Sequence, residues 1–411
     1  MQRRIASHCG LVILSVAMTI GLPPSIFACP FCSAPSLTLS EQLAQSDAVL
    51  LVEWSQGLPA KGKSPGNTDY KVSKIAKAPA GALKVGDQVK LVRYRAAKKG
   101  DLFLLMGSQA KSLEWGRPIE VPQASFSYLE KLPAPDAPIE NRLAFYLKYL
   151  EFPDPLVAND AYAEFANAPY KDIAKLSKKL PRERLRTWII STDTPVTRLG
   201  LYGLLLGLCG QPADSELMQD KITSISTDDF RLGIDGVMSG FLLLTGEQGL
   251  KVIEDTNLRP PFLVDRNGKP LLAKQGKKRP VPFSETYAAM QALRFMWTYG
   301  DGRIPKQRLR GSMRILLARP ELADLVIADL ARWKDWQVQD QLVKLYGVDG
   351  YDIPSIKRAI VRFMYYCSRD VDPKAGDAPL PKYAAQAKQH LEALEKRDPK
   401  TVREAKRFLL P

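Results

Sequence analysis

Two ten-residue segments of the chain share one arrangement of arginine, leucine and glycine. RLGLYGLLLG begins at Arg198, and RLGIDGVMSG begins 33 residues later at Arg231. A period of about 33 to 40 residues is typical of stacked helix pairs, in which each pair buries its apolar face only against a neighbour. The repeat therefore predicts helices that pack one after another along this part of the chain.

Glycines within the first segment predict how closely these helices approach one another. Gly200, Gly203 and Gly207 are spaced by three and four residues, so a helix places them on one face. Each glycine inside a helix costs about 1 kcal/mol relative to alanine, and close packing against a second helix explains why they are present. A membrane-spanning glycine face is excluded because Arg198 and Gln211 bound a run much shorter than about 20 residues.

Helical periodicity extends over the rest of the chain, from residue 139 to residue 411. Apolar residues recur at the three- and four-residue spacing of a helix face in two further segments. The pattern predicts an α-helical repeat domain over 139–411. Upstream of it, KLPAPDAP at residues 131–138 holds three prolines and predicts a linker. The periodic apolar positions are Leu322, Leu325, Val326, Leu330 and Trp333, then Ile356, Ile360, Phe363 and Met364.

Residues 29–130 show the pattern of short β-strands instead. Runs such as DAVLLVEW and YKVSKIAKA are rich in apolar and β-branched residues and are separated by loops rich in glycine, proline and lysine. Before the first strand, Thr38 and Glu41 have the spacing of a capping box, which predicts a short helix through about Gln45. We therefore predict an α+β multidomain fold, with a small β-barrel over 29–130 followed by an α-helical repeat array.

The first 28 residues are typical of an export signal. Two arginines precede an apolar run over residues 11–22, and two prolines follow it. The run is shorter than the about 20 residues of a membrane span, so no transmembrane helix is expected. We expect cleavage near Ala28 and Cys29 and a mature protein that is periplasmic or extracellular.

Histidine is too scarce for the common catalytic and zinc-binding arrangements. Of the two histidines in the chain, His8 lies in the predicted signal, and His390 lies in a charged helical pattern typical of a solvated helix face. A Ser-His-Asp or Cys-His catalytic site, or a zinc site built on histidines, would depend on that one residue. We therefore expect a protein without enzymatic activity, metal or cofactor.

Cys29 and Cys32 form a Cys-Pro-Phe-Cys motif that has several interpretations. A structural disulfide is favoured, because the compartments that receive exported proteins are oxidising. A thiol-disulfide redox site is the second hypothesis, although the strand that precedes such a motif in redox folds is missing here. A lipid anchor at Cys29 is the third, and the lack of a second ligand pair argues against a metal site. Cys209 and Cys367 lie on apolar helix faces and are expected in the core.

Basic residues outnumber acidic ones, with 59 Lys and Arg against 44 Asp and Glu and a formal net charge of +15. Solvated, lysine-rich faces are the favoured explanation of this surplus, and an anionic polymer as partner is the alternative. No nucleic-acid partner is expected. Asp160 and Glu164, one helical turn apart, are interpreted as surface charge rather than as an acid-base pair. The candidate anion-binding residues form one basic run: Lys306, Arg308, Arg310, Arg314 and Arg319.

Two parts of the chain resemble known families. The segments SDAVLLVEW, YKVSKIAKAPAGALKVGDQVKLVRY and GDLFLLMG, together with Cys29 and Cys32, resemble the netrin and tissue-inhibitor-of-metalloproteinase type of OB-fold barrel. That resemblance implies that a mature N-terminal Cys29 chelates a protease zinc through its amine and carbonyl. Residues 154–246 resemble HEAT-type helical repeats. The whole chain is similar to secreted proteins of planctomycete-type bacteria that carry the same motif, a likeness that implies no activity.

These patterns together predict an exported protein whose work is non-catalytic interaction. The concave surface of the helical array would bind a protein or an anionic polymer. Two alternatives stay open at this point. One is a thiol-disulfide redox role for Cys29 and Cys32, and the other is metalloprotease inhibition through Cys29.

Overall fold

The structure is a computed structural model. It describes residues 29–32, 37–224, 230–265, 267–273, 276–372 and 379–407. The predicted export signal, residues 1–28, lies outside the described residues.

The N-terminal part of the described chain is an antiparallel sheet of six strands. Its strand order is β3-β2-β1-β4-β5, and β6 pairs with β4 beside β5. The central strand β1 therefore pairs on one side with β2, where Val52 faces Val72, and on the other with β4, where Leu51 faces Leu104. The strands are β1 Ala48–Leu58, β2 Asn67–Lys77, β3 Gln88–Leu91, β4 Leu102–Gln109, β5 Leu113–Trp115 and β6 Ile119–Glu120.

One helix precedes the sheet, and sixteen described helices, joined by turns and loops, follow it. The predicted order, a β-rich region followed by many helices, is confirmed. The helices are α1 Leu39–Gln45, α2 Gln123–Leu129, α3 Ile139–Tyr146, α4 Pro155–Asn167, α5 Tyr170–Ala174, α6 Arg182–Ile190, α7 Leu199–Cys209, α8 Asp214–Thr223, α9 Ile234–Thr245, α10 Glu247–Ile253, α11 Phe283–Tyr299, α12 Lys306–Ile315, α13 Ala323–Arg332, α14 Gln339–Leu345, α15 Pro354–Arg369, α16 Lys382–Arg397 and α17 Pro399–Arg407.

Local sequence signals define the start of α1, as predicted, and the end of α14. Thr38 caps α1, because its hydroxyl accepts the Glu41 N–H at 3.2 Å while the Glu41 carboxylate accepts the Thr38 N–H at 2.8 Å. The helix ends at Gln45, as predicted. After α14, Gly347 adopts a φ of 75°, the left-handed conformation that commonly follows a helix end.

The two faces of the sheet are buried in different ways because side chains alternate along each strand. Leu51 and Leu104 point to one face and join a core that continues through α2 and α3 into the last helices. Val52 and Phe103 point to the other face, where Tyr70 and neighbouring residues form a second, smaller core. The larger core contains residues from both sides of the predicted linker, 131–138, so the sheet packs directly against the helical region.

The glycines of the sequence repeat lie where α7 crosses α9. A Cβ atom on Gly203 would lie 2.5 Å from the Cα of Val237, and one on Gly207 would lie 2.3 Å from the Cα of Gly240. Gly200 lies in the same contact, against Gly236. These are distances to backbone atoms, which cannot rotate away as side chains can. The prediction that the glycines mark close helix packing is confirmed.

The interpretation of Asp160 and Glu164 as surface charge is wrong. Both are buried in α4, with 5% and 3% exposure. Asp160 accepts the Leu39 N–H and the Tyr128 hydroxyl, each at 2.6 Å, and Glu164 pairs with Arg142 at 2.6 Å. The first elements of the chain, α1 to α3, fold back over this face of α4, which no local pattern reveals.

Asp160 makes the stability of this junction depend on pH. Burial raises the pKa of Asp160 from an ordinary 3.8 to about 6, although the Tyr128 and Leu39 hydrogen bonds act in the other direction. The folded state therefore binds this proton more tightly than the unfolded state, so the stabilisation from protonation is present at acidic pH and is lost as pH rises through about 6. We expect Asp160→Asn to remove this loss.

In urea unfolding, the free energy of unfolding of Asp160→Asn should rise by about 2 kcal/mol relative to that of the wild type when pH is raised from about 4.5 to about 7.5. An asparagine carbonyl still accepts the Leu39 N–H, so the junction is kept. Asp136→Asn, at an exposed site, is the control. Equal pH dependence in the two variants would contradict the prediction.

Candidate functional site

The Cys29–Cys32 loop closes on itself through a disulfide and docks on the helices. The two sulfurs are 2.07 Å apart and the two Cα atoms 5.5 Å apart. The Cys29 N–H donates to the Ala166 carbonyl at 3.0 Å, at the end of α4. The Phe31 ring packs 5.1 Å from the Phe295 ring of α11, centroid to centroid. The loop therefore joins the start of the described chain to two distant helices.

This geometry favours a structural role for the pair. Cys29 is 6% exposed, so a thiolate from another molecule has little access to its sulfur. The same sulfur cannot hold a disulfide and a lipid thioether at once. Chelation of a metal by the backbone of Cys29 would also require its N–H to leave Ala166 and its carbonyl to leave the Cys32 N–H.

Lys306 and Arg310, from the predicted anion-binding run, lie over the indole of Trp297. The Lys306 Nζ is 4.8 Å and the Arg310 Cζ is 5.5 Å from the ring centroid. Trp297 also stacks on Trp333, with 4.3 Å between the ring centroids. The backbone carbonyl of Trp333 accepts the Arg310 Nε–H at 3.0 Å. Both cations are therefore engaged in contacts that hold α11, α12 and α13 together.

The other three residues of the basic run also have acceptors within the helical region. Their guanidinium groups join α12 and the segment after it to neighbouring turns. Anion binding by the five residues stays a prediction, and each of the five already has a partner in the folded chain. Arg308 pairs with Glu254, Arg314 with Asp335, and Arg319 donates to the carbonyl of Pro260.

A concave furrow lies between α13 and α15, and two residues of α17 contribute to its lining. It encloses about 1150 Å³. We call it the α13–α15 furrow. Its lining is Asp324, Leu325, Ala328, Ala331 and Arg332 of α13, Lys334 and Trp336 of the following turn, Ser355, Arg358, Ala359, Arg362, Phe363, Tyr366 and Arg369 of α15, Asp370, and Glu404 and Arg407 of α17.

The floor of the furrow is apolar and built largely from small side chains. Ala328 and Ala331 of α13 face Ala359 of α15, so the two helices leave space between them. Leu325 and Tyr366 add larger apolar surface and are 37% and 46% exposed. Apolar side chains that stay this exposed beside one another are typical of surfaces that bind a partner.

The rim of the furrow is basic. Six of the lining residues are Lys or Arg and three are Asp or Glu, a surplus of three positive charges. Arg332 is exposed at the end of α13, and the Arg369 guanidinium lies 4.1 Å from the Tyr365 ring centroid. Arg358 pairs with Glu404 of α17 at 3.4 Å. The rim therefore presents cations on both sides of the apolar floor.

Asp370 organises the end of the furrow near Trp336. It accepts hydrogen bonds from Lys334 and from the Trp336 indole N–H, the latter at 2.7 Å. Burial alone would raise the pKa of Asp370, but the bonds from Lys334 and Trp336 outweigh burial and lower it. The hydrogen bond to Asp370 also raises the pKa of Lys334. This end of the furrow thus holds a stable ion pair at neutral pH.

The basic rim was missed at the level of sequence, although part of it is visible there. Arg358, Arg362 and Arg369 are spaced by four and seven residues and so share one face of α15. The α13 side and α17 cannot be assigned to the same surface from sequence, because only packing brings these helices together.

The remaining candidate residues have ordinary environments. Cys367 is buried and free, and the half-buried Cys209 is also free and packs against the core, as predicted. Burial raises the pKa of both thiols, to about 11 for Cys209 and about 12 for Cys367. His390 is partly covered rather than fully solvated, with its Nε2 3.1 Å from a carboxylate oxygen of Asp340.

Among the described residues, no group of three or more His, Cys, Asp and Glu side chains is arranged to hold a metal ion. None of the helices described is both long enough and apolar enough to span a membrane. Comparison with protein-family models, with curated proteins and with solved structures finds no match to this chain.

Proposed function

We propose that this chain is an exported, non-catalytic interaction protein that binds an acidic polypeptide segment in the α13–α15 furrow. The observation that carries the proposal is the combination of an apolar floor with a surplus of three positive charges on its rim. Charged pairs formed beside an apolar floor are less screened by water than pairs on an open surface. An acidic segment that covers the floor would therefore gain binding free energy both from apolar burial and from charge pairs with the rim.

The contrast with the predicted basic run supports this choice of surface. Arg310 and Arg314 already bond to acceptors of the array, at Trp333 and Asp335, and a ligand would have to compete with those contacts. On the furrow rim, Arg369 touches an aromatic ring and Arg407 ends α17 as an exposed side chain. Arg332, Lys334 and Arg358 of the rim are paired with Asp329, Asp370 and Glu404. Arg369 and Arg407 therefore attract an anion with less rearrangement than these three.

The finer architecture is part of the same proposal. We infer a HEAT-like α-solenoid, supported by the repeated glycine contact of α7 with α9 and by the serial packing of α11 to α15. We infer an OB-like barrel for the sheet, supported by the register shifts along β1, which bend a strand between its two partners.

Thiol-disulfide exchange by Cys29 and Cys32 is a second candidate, favoured by the disulfide itself. An insulin-reduction assay that compares the wild type with Cys32→Ser tests it directly. Turnover that depends on Cys32 would support exchange, and no turnover above the variant would rule it out. Metalloprotease inhibition through Cys29 would instead require the docked N-terminal loop to be released.

Neutralising the rim tests the proposed function. We expect R332Q/R369Q/R407Q to remove the furrow's surplus of three charges and to weaken binding of fluorescent poly-L-glutamate by about tenfold or more. Fluorescence anisotropy on the full chain measures the affinity, and raising the salt concentration should weaken wild-type binding most.

The matched control neutralises three exposed lysines of the sheet region, K63Q/K99Q/K111Q. It makes the same change in net charge away from the furrow. If the control variant loses as much affinity as the rim variant, binding depends on overall charge and the furrow is not the site.

A further inference from the structure

We infer that the segment held in the α13–α15 furrow is an amphipathic α-helix of about four turns, with acidic residues on both sides of an apolar stripe. The inference rests on the proposed function and adds the conformation of the partner. Three properties of the furrow lead to it: its length, the nature of its walls and the placement of its charges.

The length of the furrow matches a helix. Its lining residues on α15 run from Ser355 to Arg369 along one face of that helix. At 1.5 Å per residue this is about 21 Å, or about four helical turns. The facing residues of α13 run from Asp324 to Arg332 at the same helical spacing, about 12 Å, and Lys334 and Trp336 of the following turn continue that wall. Two helix faces that flank a gap form a groove in which a third helix packs, here along α15 for about four turns and against α13 for about two of them.

The walls favour a helix over an extended chain. Both long walls are α-helices, whose interior backbone N–H and C=O groups are already bonded within each helix. An extended peptide in this furrow would leave its own backbone groups against Ala328, Ala331 and Ala359 without partners, at a substantial cost. A helix satisfies its backbone internally and needs only side-chain contacts. A polysaccharide meets the same difficulty, since its hydroxyl groups would lose water against this floor.

The charges define the pattern expected in the partner. Arg332 and Lys334 lie on the α13 side of the floor, and Arg358, Arg362 and Arg369 lie along α15. An apolar stripe that fits against Leu325 and the alanines would therefore have acidic residues on both flanks. The predicted sequence pattern is apolar residues at i, i+3, i+4 and i+7 with Asp or Glu between them.

A peptide-display selection on the full-length chain tests the inference. A library of random peptides of about 16 residues, four helical turns, is selected on the wild type and counter-selected on R332Q/R369Q/R407Q. We expect enriched peptides to be acidic and to repeat apolar residues at helical spacing. The affinities of one enriched peptide and of dextran sulfate are then measured for wild type, A328M/A359M, Tyr366→Ser and Ala393→Met.

The variants separate a helix seated on the floor from an anion bound only at the rim. A328M/A359M fills the gap without a change of charge, so we expect the peptide to lose about tenfold or more in affinity while dextran sulfate binding is unchanged. Ala393→Met adds the same side chain at an exposed site of α16 and should change neither. Tyr366→Ser removes exposed floor surface instead of adding volume, so it repeats the test if the double variant does not fold.

The outcomes distinguish this inference from the proposed function. Acidic peptides without a helical apolar repeat, or peptides unaffected by both floor variants, would overturn the helix and leave the acidic partner in place. Binding of dextran sulfate that depends on the arginines, with no peptide enriched, would overturn a polypeptide partner. Peptides that bind the rim variant as well as the wild type would overturn the proposed function itself.

Discussion

Gly240→Ala is expected to lower the free energy of unfolding by about 3 kcal/mol or more, although alanine is the better helix former. A Cβ atom at this position would lie 2.0 Å from the carbonyl oxygen of Gly203, across the contact between α7 and α9. Because the opposing atom belongs to the backbone, only a separation of the two helices can relieve the overlap. Urea unfolding followed by tryptophan fluorescence measures the loss.

Gly311→Ala is the matched control, because it makes the same substitution inside another helix, α12. A Cβ at Gly311 meets nothing closer than 3.9 Å, where the atom is the flexible end of Arg308. We therefore expect this variant to be stabilised by about 0.5 to 1 kcal/mol. Opposite signs for the two variants are the expected result. A stabilised Gly240→Ala would show that α7 and α9 do not approach as closely as described.

Phe31→Ala is expected to lower the free energy of unfolding by about 2 kcal/mol. The half-buried ring packs on Phe295, the backbone of Phe31 lies against Gly200, and the disulfide on either side fixes the loop that presents it. Truncation would remove the ring contact and expose apolar surface of α11 to water. Urea unfolding of the oxidised full-length chain measures the effect.

Phe230→Ala provides the comparison, since Phe230 is 64% exposed and its loss should change stability by less than about 0.5 kcal/mol. Cleavage of the disulfide by a dithiol reductant should lower the free energy of unfolding of the wild type. It should have less effect on Phe31→Ala, because the loop of that variant lacks the ring that packs on Phe295. If Phe31→Ala behaves like Phe230→Ala, the docking of the Cys29–Cys32 loop is not a source of stability.

Much of the fold could be predicted because its determinants are local. The Thr38 and Glu41 capping box predicts the start of α1, since the two hydrogen bonds that satisfy the first N–H groups of the helix lie within four residues. The glycines at positions 200, 203 and 207 predict a close helix contact, because no other residue permits one at that distance. Such features depend on few residues and survive whatever the rest of the chain does.

The candidate site could not be predicted in the same way. The sequence shows no set of partner residues near Asp160 and so predicts surface charge, whereas its burial results from α1 and α2 packing on α4. The basic run at 306–319 was chosen for its local density of charge. Density does not reveal whether an acceptor such as Asp335 lies opposite each cation in space. The furrow rim is less dense in sequence, and only packing brings its cations from α13, α15 and α17 together.

The docked Cys29–Cys32 loop also sets an order for biosynthesis. Phe31 precedes Phe295 of α11 by more than half of the sequence, so it emerges from the ribosome well before that helix. During that interval the phenylalanine has no partner and the apolar surface beside Gly200 is uncovered. Cys29 and Cys32 are close in sequence and can pair early, so the closed loop is the form that meets α11 when that helix arrives. The synthesis and folding of α11 therefore determine when the Cys29–Cys32 loop becomes protected from chaperones and proteases.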